Sequence, residues 1–285
     1  MTSSPQQLSR VSKVSQADKA RTFRSLHEST DGFIIPNPWD VGTAHLLAGM
    51  GFKALATTSA GLAFSLGRPD NAISRDHVLT HLRSLSAIDL PVSADLENGF
   101  GDDPEEVAQT IRLAAEAGAV GGSIEDATGR ADDPIYARDL AVERIRAAAE
   151  AARAQPFPFT LTARAENHLH GRNDLADTIA RLQAYQEAGA DVLFAPGLVT
   201  REDISTVLRE IDRPLNVLMG LGAVTLDAKT LFGLGVRRIS VGGSLARAAM
   251  GAFLNAANEL REHGTFTYAS KAVSHRDINA MFSAH

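Results

Sequence analysis

Short apolar runs alternate with amphipathic helical segments along most of the chain. Eight runs have the length and apolar character of buried strands, at residues 33–36, 53–58, 90–95, 120–125, 158–164, 191–195, 214–219 and 237–241. Helical segments rich in Ala, Leu, Glu and Arg separate most of them, at 107–117, 141–154, 174–188, 201–211 and 225–233. Helices are also predicted from Ser15 to about residue 28 and over about 40–49. Because strands that alternate with helices pair in parallel, the pattern predicts an α/β fold.

One unit recurs within this pattern: a helix ends at a glycine, and a short apolar strand follows after one or two residues. Gly51, Gly118, Gly189 and Gly235 each mark such a helix end. Eight strand–helix units in about 230 residues fit a (β/α)8 TIM barrel better than an open, doubly wound sheet. We therefore predict one barrel domain over residues 15–262.

The two ends of the chain lie outside the repeating pattern. Residues 1–14 are rich in Ser and Gln and contain no acidic residue, which predicts a flexible tail. At the other end, residues 244–263 are helical, and residues 263–285 form a polar tail. This tail carries a short amphipathic helix near 274–283, which we expect to pack on the barrel or on a neighbouring subunit.

The composition narrows the range of functions. The chain has 285 residues, a net charge of −6 and no cysteine. An acidic chain without a basic patch argues against nucleic acid or an anionic membrane as a partner. The absence of cysteine excludes disulfides, thiolate metal ligands and a cysteine nucleophile. No apolar run is long enough to span a membrane, and the first residues lack the apolar core of a signal peptide, so we expect a cytoplasmic protein.

Two carboxylates stand at the end of the third predicted strand. Asp95 and Glu97 are two residues apart, so their side chains leave an extended chain on the same side. Neighbouring carboxylates repel each other unless a proton or a cation lies between them, and Mg²⁺ prefers such oxygen ligands. The alternative is a solvated acidic loop.

Other polar residues follow the predicted strands at the same end of the barrel, where barrel enzymes carry their active sites. They are Asn37, Asp40, Thr57, Thr58, Ser59, Glu125, Asp126, Arg164, Glu166 and Asn167, with Arg68 and Asp70 in the loop after the second strand. Arg164 is suited to holding a carboxylate, and the turn at 58–61 offers N–H groups and hydroxyls to an enolate oxygen. The set suits a small dianionic substrate whose 2-oxo acid end chelates Mg²⁺.

Several nearby features have simpler interpretations. Asp126 is interpreted as a cap or an ion-pair partner of a nearby arginine, and Thr57 equally well as a strand residue. His168 and His170 have no matching third ligand, so we favour a surface loop over a metal pair. Gly243 lies in a glycine pair before a helix, where close packing is favoured over phosphate binding.

Motifs in a fixed order resemble the isocitrate lyase/phosphoenolpyruvate mutase superfamily. They are Thr57-Thr-Ser-Ala-Gly61, Ser65-Leu-Gly-Arg-Pro-Asp70, Asp95-Leu-Glu-Asn-Gly-Phe-Gly101, Ser123-Ile-Glu-Asp126 and Thr162-Ala-Arg-Ala-Glu166. Their order and spacing match across residues 30–260. The resemblance implies a barrel whose last helix is swapped between the subunits of a homo-oligomer, a dimer or a tetramer. It also implies Mg²⁺, or Mn²⁺ in its place, and the making or breaking of a C–C or P–C bond in a 2-oxo acid or enolpyruvate.

The resemblance also implies roles for individual residues. Asp95 matches the direct Mg²⁺ ligand and contacts the substrate, and Glu97 stands where relatives usually have a second Asp. Asp70 and Glu125 match acids that reach the ion through water, and Glu125 is also a catalytic candidate. Arg164 matches the arginine that binds the substrate carboxylate. The residues that match the oxyanion-binding turn are Thr58, also a catalytic candidate, Ser59 and Ala60.

The chain departs from these relatives where their proton donor lies. Residues 127–138 replace a Lys-Arg/Lys-Cys-Gly-His segment and contain neither Cys nor His. Arg130, Tyr136 or Arg138 could substitute, but we favour a short surface loop. Three functions therefore stay open. The first is a phosphoenolpyruvate phosphonomutase-like enzyme, the second an oxaloacetate- or methylisocitrate-type lyase or hydrolase, and the third a non-catalytic binder of 2-oxo acids.

Overall fold

A single parallel sheet of eight strands runs through the computed structural model, which describes residues 14–220 and 226–283. The strands are β1 Phe33–Ile35, β2 Leu55–Ala56, β3 Val92–Asp95, β4 Gly121–Glu125, β5 Thr160–Arg164, β6 Val192–Phe194, β7 Leu215–Leu218 and β8 Arg238–Ser240. Each strand pairs in parallel with its neighbour in the order β1-β8-β7-β6-β5-β4-β3-β2. The Ala56 N–H donates to the Pro36 carbonyl at 3.1 Å between β1 and β2, so the sheet is nearly closed and the predicted (β/α)8 barrel is confirmed.

Helices surround the sheet and connect its strands. They are α1 Gln16–Glu28, α2 Val41–Gly49, α3 Ser59–Ser65, α4 Arg75–Leu85, α5 Pro104–Glu116, α6 Arg138–Arg153, α7 Leu175–Ala188, α8 Arg201–Glu210, α9 Ala228–Leu234, α10 Ser244–His263 and α11 His275–Ser283. The predicted tail lies, except for Val14, outside the described residues, and so does the first residue of the helix predicted at 225–233. None of the described helices has the length and apolar character needed to cross a membrane.

Two helices, α3 and α4, were not predicted. The segment at 58–61, predicted as a turn, is the start of α3, with Thr58 as its N-cap accepting from the Gly61 N–H at 3.2 Å. Small residues and a length of seven residues give α3 no clear amphipathic period. The helix α4 does carry a signal, because Val78, Leu82 and Leu85 are spaced along one face and buried.

The helix α1 lies across the N-terminal end of the barrel. Its Phe23 packs edge-on against Phe33 at the start of β1, with the ring centroids 6.4 Å apart. Its His27 is buried between this aromatic pair and Arg238 of β8. The His27 Nδ1–H donates to the Phe23 carbonyl at 2.8 Å, which leaves Nε2 to accept from Arg238 at 3.3 Å. These two contacts require the neutral imidazole.

The loop after β3 adopts an uncommon backbone conformation. Glu97 and Phe100 have φ values of 49° and 62°, in the left-handed region that costs energy for residues other than glycine. Arg144 of α6, only 1% exposed, holds this loop by donating to the carbonyl oxygens of Asn98, Gly101 and Asp102. One guanidinium therefore fixes the segment that immediately follows the Asp95 carboxylate.

The C-terminal helices have few contacts with the rest of the barrel. Only Ala246 is fully buried on α10, and α10 packs on α3, while α11 contacts α2 of the same chain. Large apolar side chains of this region are exposed, including Phe253 at 71% and Phe266 at 69%. The predicted exchange of a helix between subunits stays a prediction.

The neutral state of His27 makes the stability depend on pH. Burial, with a smaller contribution from Arg238, lowers the pKa of His27 to about 3 from an ordinary value of 6.5. Between these values the unfolded chain binds one more proton than the folded chain, so stability is full above pH 6.5 and falls as the pH falls. We expect a loss of about 1.4 kcal/mol for each pH unit below ~6. Urea denaturation of the wild type and of His27→Gln measures it, and equal pH dependence in both proteins would contradict the assignment.

The contacts of Arg144 give a second prediction. A lysine at this position keeps the charge but cannot reach the carbonyls of Asn98, Gly101 and Asp102 together. We expect Arg144→Lys to speed amide hydrogen exchange in residues 96–102 by about tenfold or more while the strands keep their protection. Arg146→Lys, on the exposed face of the same helix, is the matched control and should change nothing. Unchanged exchange in the loop of Arg144→Lys would show that the clamp is not needed.

Candidate active site

A cavity of about 320 Å³ opens at the C-terminal ends of the strands. Of the predicted site residues, it is lined by Thr58, Ser59, Ala60, Asp70, Asp95 and Arg164. Glu97 and Glu125 do not line the cavity but lie beside residues that do. Oε2 of Glu125 is 3.1 Å from Nη1 of Arg164, and Glu97 is close enough to Asp95 for the two carboxylates to repel each other. The structure thus brings together, at one end of the barrel, the eight residues to which the resemblance assigns roles.

Arg164, at the end of β5, is the centre of the ion pairs at this site. Its Nη1 lies 3.0 Å from Oδ1 of Asp95 and 3.1 Å from Oε2 of Glu125. Its Nη2 and Nε lie 2.8 and 2.9 Å from Oε1 of Glu166. Burial alone would lower the pKa of Arg164, but the three carboxylates outweigh burial and raise it. The guanidinium therefore remains charged.

Glu166 is a site residue that the sequence argument left without a role. It is 3% exposed, and burial raises its pKa while Arg164 opposes that rise. Its position two residues after Arg164 in an extended strand end was a usable signal, because such side chains leave on the same side. Glu125 is in a similar position: burial raises its pKa well above the ordinary value, against the attraction of Arg164.

Asp95 is held by the backbone as well as by Arg164. Its Oδ2 accepts from the Ser59 N–H at 2.9 Å, and its own N–H donates to Oγ1 of Thr57 at 2.8 Å. Thr57 in turn is fixed by Asn37, whose amide donates to the Thr57 carbonyl at 2.9 Å. Thr57 is therefore a positioning residue, and the start of α3 is tied directly to the Asp95 carboxylate.

The carboxylates beside Asp95 are not fully neutralised by positively charged side chains. Glu97 is buried, and its Oε1 has no hydrogen-bond partner. Burial, then Asp95 and Asp70, raise the pKa of Glu97 to about 8. Burial and Asp95 likewise raise the pKa of Asp70. Uncompensated carboxylate oxygens of this kind fit a hard divalent cation.

The side chains do not form a ready-made metal cage. Within residues 14–220 and 226–283, no three acidic or histidine side chains converge closely enough to hold an ion by themselves. Mg²⁺ usually keeps several waters and takes few ligands from the protein. Water or a ligand in the cavity would have to complete the coordination.

No residue of the segment 127–138, where the chain differs from its relatives, lines the cavity. The Tyr136 hydroxyl donates to Asp102, and Arg130 pairs with Asp102 at 2.9 Å, outside the cavity. Arg138 begins α6 and is not a lining residue either. None of these three candidates for the missing proton donor lines the cavity.

The simpler interpretations of the other motifs agree with the structure. Asp126 is buried against Arg181 at 3.0 Å and accepts from the Tyr185 hydroxyl at 2.6 Å, as an ion-pair partner. The histidine motif forms a short 3₁₀ turn, Asn167–His170, in which Leu169 lines the cavity. A Cβ atom on Gly243 would lie 3.3 Å from that of Ala60, so this glycine allows close packing.

Comparisons with known proteins agree with this geometry. The family model described as "Phosphoenolpyruvate phosphomutase" matches residues 23–261. A crystal structure from Burkholderia cenocepacia J2315, described as a candidate lyase/mutase, superposes with a TM-score of 0.93 at 66% identity and covers 94% of this chain and 97% of its own. The structure of 2,3-dimethylmalate lyase, a member of the same superfamily, gives a TM-score of 0.83 at 26% identity over 93% and 95% of the two chains.

A curated relative gives the same result from sequence alone. The 2-methylisocitrate lyase of Escherichia coli K12 is 35% identical over 183 residues, which cover 61% of this chain and 60% of that enzyme. With the family model matching most of the barrel, the resemblance drawn from the five motifs is confirmed. The chain belongs to the phosphoenolpyruvate mutase family of the isocitrate lyase/phosphoenolpyruvate mutase superfamily, and it is an enzyme.

Proposed function

We propose that this chain is a Mg²⁺-dependent enzyme that makes or breaks a C–C or P–C bond in a small 2-oxo acid or enolpyruvate-type substrate through an enolate. The observation that carries the proposal is the cavity edge where Asp95 joins Arg164 on one side and the Ser59 N–H on the other. Carboxylates that could bind a metal ion, a guanidinium and a backbone donor thus lie side by side, which supports the proposal.

The metal site is proposed around Asp95. Asp95 would bind the ion directly, Glu97 would be the second acid, and Asp70 and Glu125 would reach it through water. The unpartnered Oε1 of Glu97 supports this assignment, because a buried carboxylate oxygen without a donor is costly. A bound Mg²⁺ would supply a Lewis acid that polarises the 2-oxo group. Mn²⁺ is the alternative ion.

The chain's own residues supply the remaining functions. Arg164 would hold the substrate carboxylate, since its guanidinium borders the cavity and stays charged among three acids. The first N–H groups of α3 lack partners within the helix, and that of Ala60 would face the enolate oxygen. The Ser59 N–H donates to Asp95 and would become available to the ligand once that carboxylate binds the ion. Thr58 accepts from Gly61, which leaves its hydroxyl proton available to a ligand.

One alternative is an oxaloacetate- or methylisocitrate-type lyase or hydrolase, which would use the same platform on a different acid. The non-catalytic binder considered from the sequence does not agree with membership of a family of enzymes. Arg130 and Tyr136 are engaged with Asp102, so another group would have to supply the proton that the relatives' donor provides.

We further propose a homo-oligomer in the cytoplasm. The exposed apolar side chains of α10 and the following segment, among them Phe253, Leu254 and Phe266, support a subunit interface on this face. Exchange of the last barrel helix between subunits would cover it.

The proposed reaction predicts pyruvate or an equivalent product from at least one of oxaloacetate, phosphonopyruvate and methylisocitrate. Turnover should stop with EDTA and return with Mg²⁺. Asp95→Ala should lose both turnover and Mg²⁺-dependent binding of oxalate, because the ion loses its direct ligand. Asp102→Ala is the matched control: this acid lies in the same loop but contacts Arg130 and Tyr136. Tight Mg²⁺-dependent oxalate binding without turnover of any of the three acids would contradict the proposed reaction, and unchanged binding in Asp95→Ala would refute the metal role.

The role of Arg164 predicts a separate loss. A lysine cannot form two parallel hydrogen bonds with one carboxylate, and it cannot form ion pairs with Asp95, Glu125 and Glu166 at the same time. We expect Arg164→Lys to weaken oxalate binding in saturating Mg²⁺ by about tenfold or more. Calorimetry measures the affinity, and thermal denaturation checks that the variant is folded. An unaltered affinity in a folded variant would remove Arg164 from the binding site.

A further inference from the structure

The interior of this barrel is unusually polar beneath the acidic edge. Barrel interiors are generally filled by large branched side chains. Here the cavity extends inward past Ser93, Ser123 and Ser240 and reaches the guanidinium of Arg238 on β8. Small hydroxyl side chains leave space, and a charged side chain borders that space at its deep end.

Among the described residues, Arg238 has only neutral partners. It is 5% exposed, and its Nε donates to Oδ1 of Asn216 at 2.9 Å, while Nη2 donates to Oγ1 of Thr162 at 3.0 Å. Its Nη1 donates to Nε2 of the neutral His27 at 3.3 Å. These bonds use three of the five guanidinium N–H groups and leave two. No carboxylate of the described chain lies within ion-pair distance of Arg238.

The charge of Arg238 is therefore uncompensated. Burial, and then the nearby positive charge of Arg164, lower the pKa of Arg238 to about 9, so it is protonated at neutral pH. The two arginines differ sharply, since Arg164 has three acidic partners and Arg238 has none. A buried charge without a counter-ion is costly, and a bound anion would remove much of that cost.

The two arginines lie at different depths of the same cavity. Arg238 contacts Thr162, which precedes Arg164 by two residues on β5. Two residues of a strand correspond to a rise of about 6.6 Å. An anion beside Arg238 would therefore lie closer to the N-terminal end of the barrel than a carboxylate held by Arg164, and the two would not overlap.

We propose that Arg238 forms the floor of a deep subsite that binds a second acidic group of the substrate, a carboxylate or an oxyanion of similar size. The inference rests on the proposed function, because it assumes that the 2-oxo acid end lies at Asp95 and Arg164. It specifies the substrate as a short diacid whose far end enters the barrel. Asn216 and Thr162 are positioning residues that orient the guanidinium toward the cavity.

Matched pairs of ligands test the subsite. Oxaloacetate is compared with 2-oxobutanoate, and 2-oxoglutarate with 2-oxopentanoate, by displacement of oxalate from Mg²⁺-saturated protein. Members of a pair have the same chain length and differ in the terminal acid. We expect at least one diacid to bind the wild type about tenfold or more tightly than its partner, as for a charge-assisted pair of hydrogen bonds. Arg238→Met should remove that preference and leave oxalate affinity within about twofold.

Arg247 provides the matched control, because it borders the same cavity but is exposed at the mouth. Arg247→Met should keep the preference for the diacid. Loss of the preference in Arg247→Met alone, survival of the preference in Arg238→Met, or no preference in the wild type would each overturn the subsite. If Arg238→Met does not fold, Arg238→Gln is used in its place. If neither variant folds, the diacid preferences of the wild type and of Arg247→Met decide whether the subsite stands. Failure of oxalate itself to bind with Mg²⁺ would instead overturn the proposed function, and the subsite with it.

Discussion

The site depends on one imbalance of charge: several buried acids surround a single arginine. Arg164 forms ion pairs with Asp95, Glu125 and Glu166, and this keeps its own pKa above the ordinary value. Yet burial leaves the pKa values of Glu97, Asp70, Glu125 and Glu166 raised. In a water-poor environment the remaining negative charge favours a proton or a cation, and the oxygen-only ligands favour a hard divalent ion.

The rest of the barrel maintains this costly arrangement. The helix α1 and its neutral His27 close the N-terminal end, and Arg144 holds the strained loop after β3 from outside. Strained backbone and buried charge persist only when surrounding structure fixes them, and they concentrate at functional sites. The polar interior beneath Arg164 follows the same rule, since packing alone would favour branched apolar residues there.

Most of the fold and the position of the site follow from sequence, for physical reasons. The alternation of strands and helices predicts the barrel, and residues that follow the strands must lie together at the C-terminal face of the barrel. The helix α3 was missed because its seven residues, five of them small, show no clear period. The helix α4 was missed although Val78, Leu82 and Leu85 follow a helical spacing. The partners of Arg238 could not be predicted, because they come from β5, β7 and α1, whose register is set only by closure of the barrel. The positions of Arg130 and Tyr136 depend likewise on Asp102, a contact that spacing alone does not reveal.

A crystal structure with Mg²⁺ and oxalate would show whether the ion is held at Asp95, between Arg164 and the start of α3. We predict a cation bonded to an Asp95 oxygen, with oxalate between that cation and the N–H groups at 58–60. This prediction would be contradicted by oxalate and cation bound elsewhere, with Asp95 still paired to Arg164 and Ser59 as in the ligand-free arrangement.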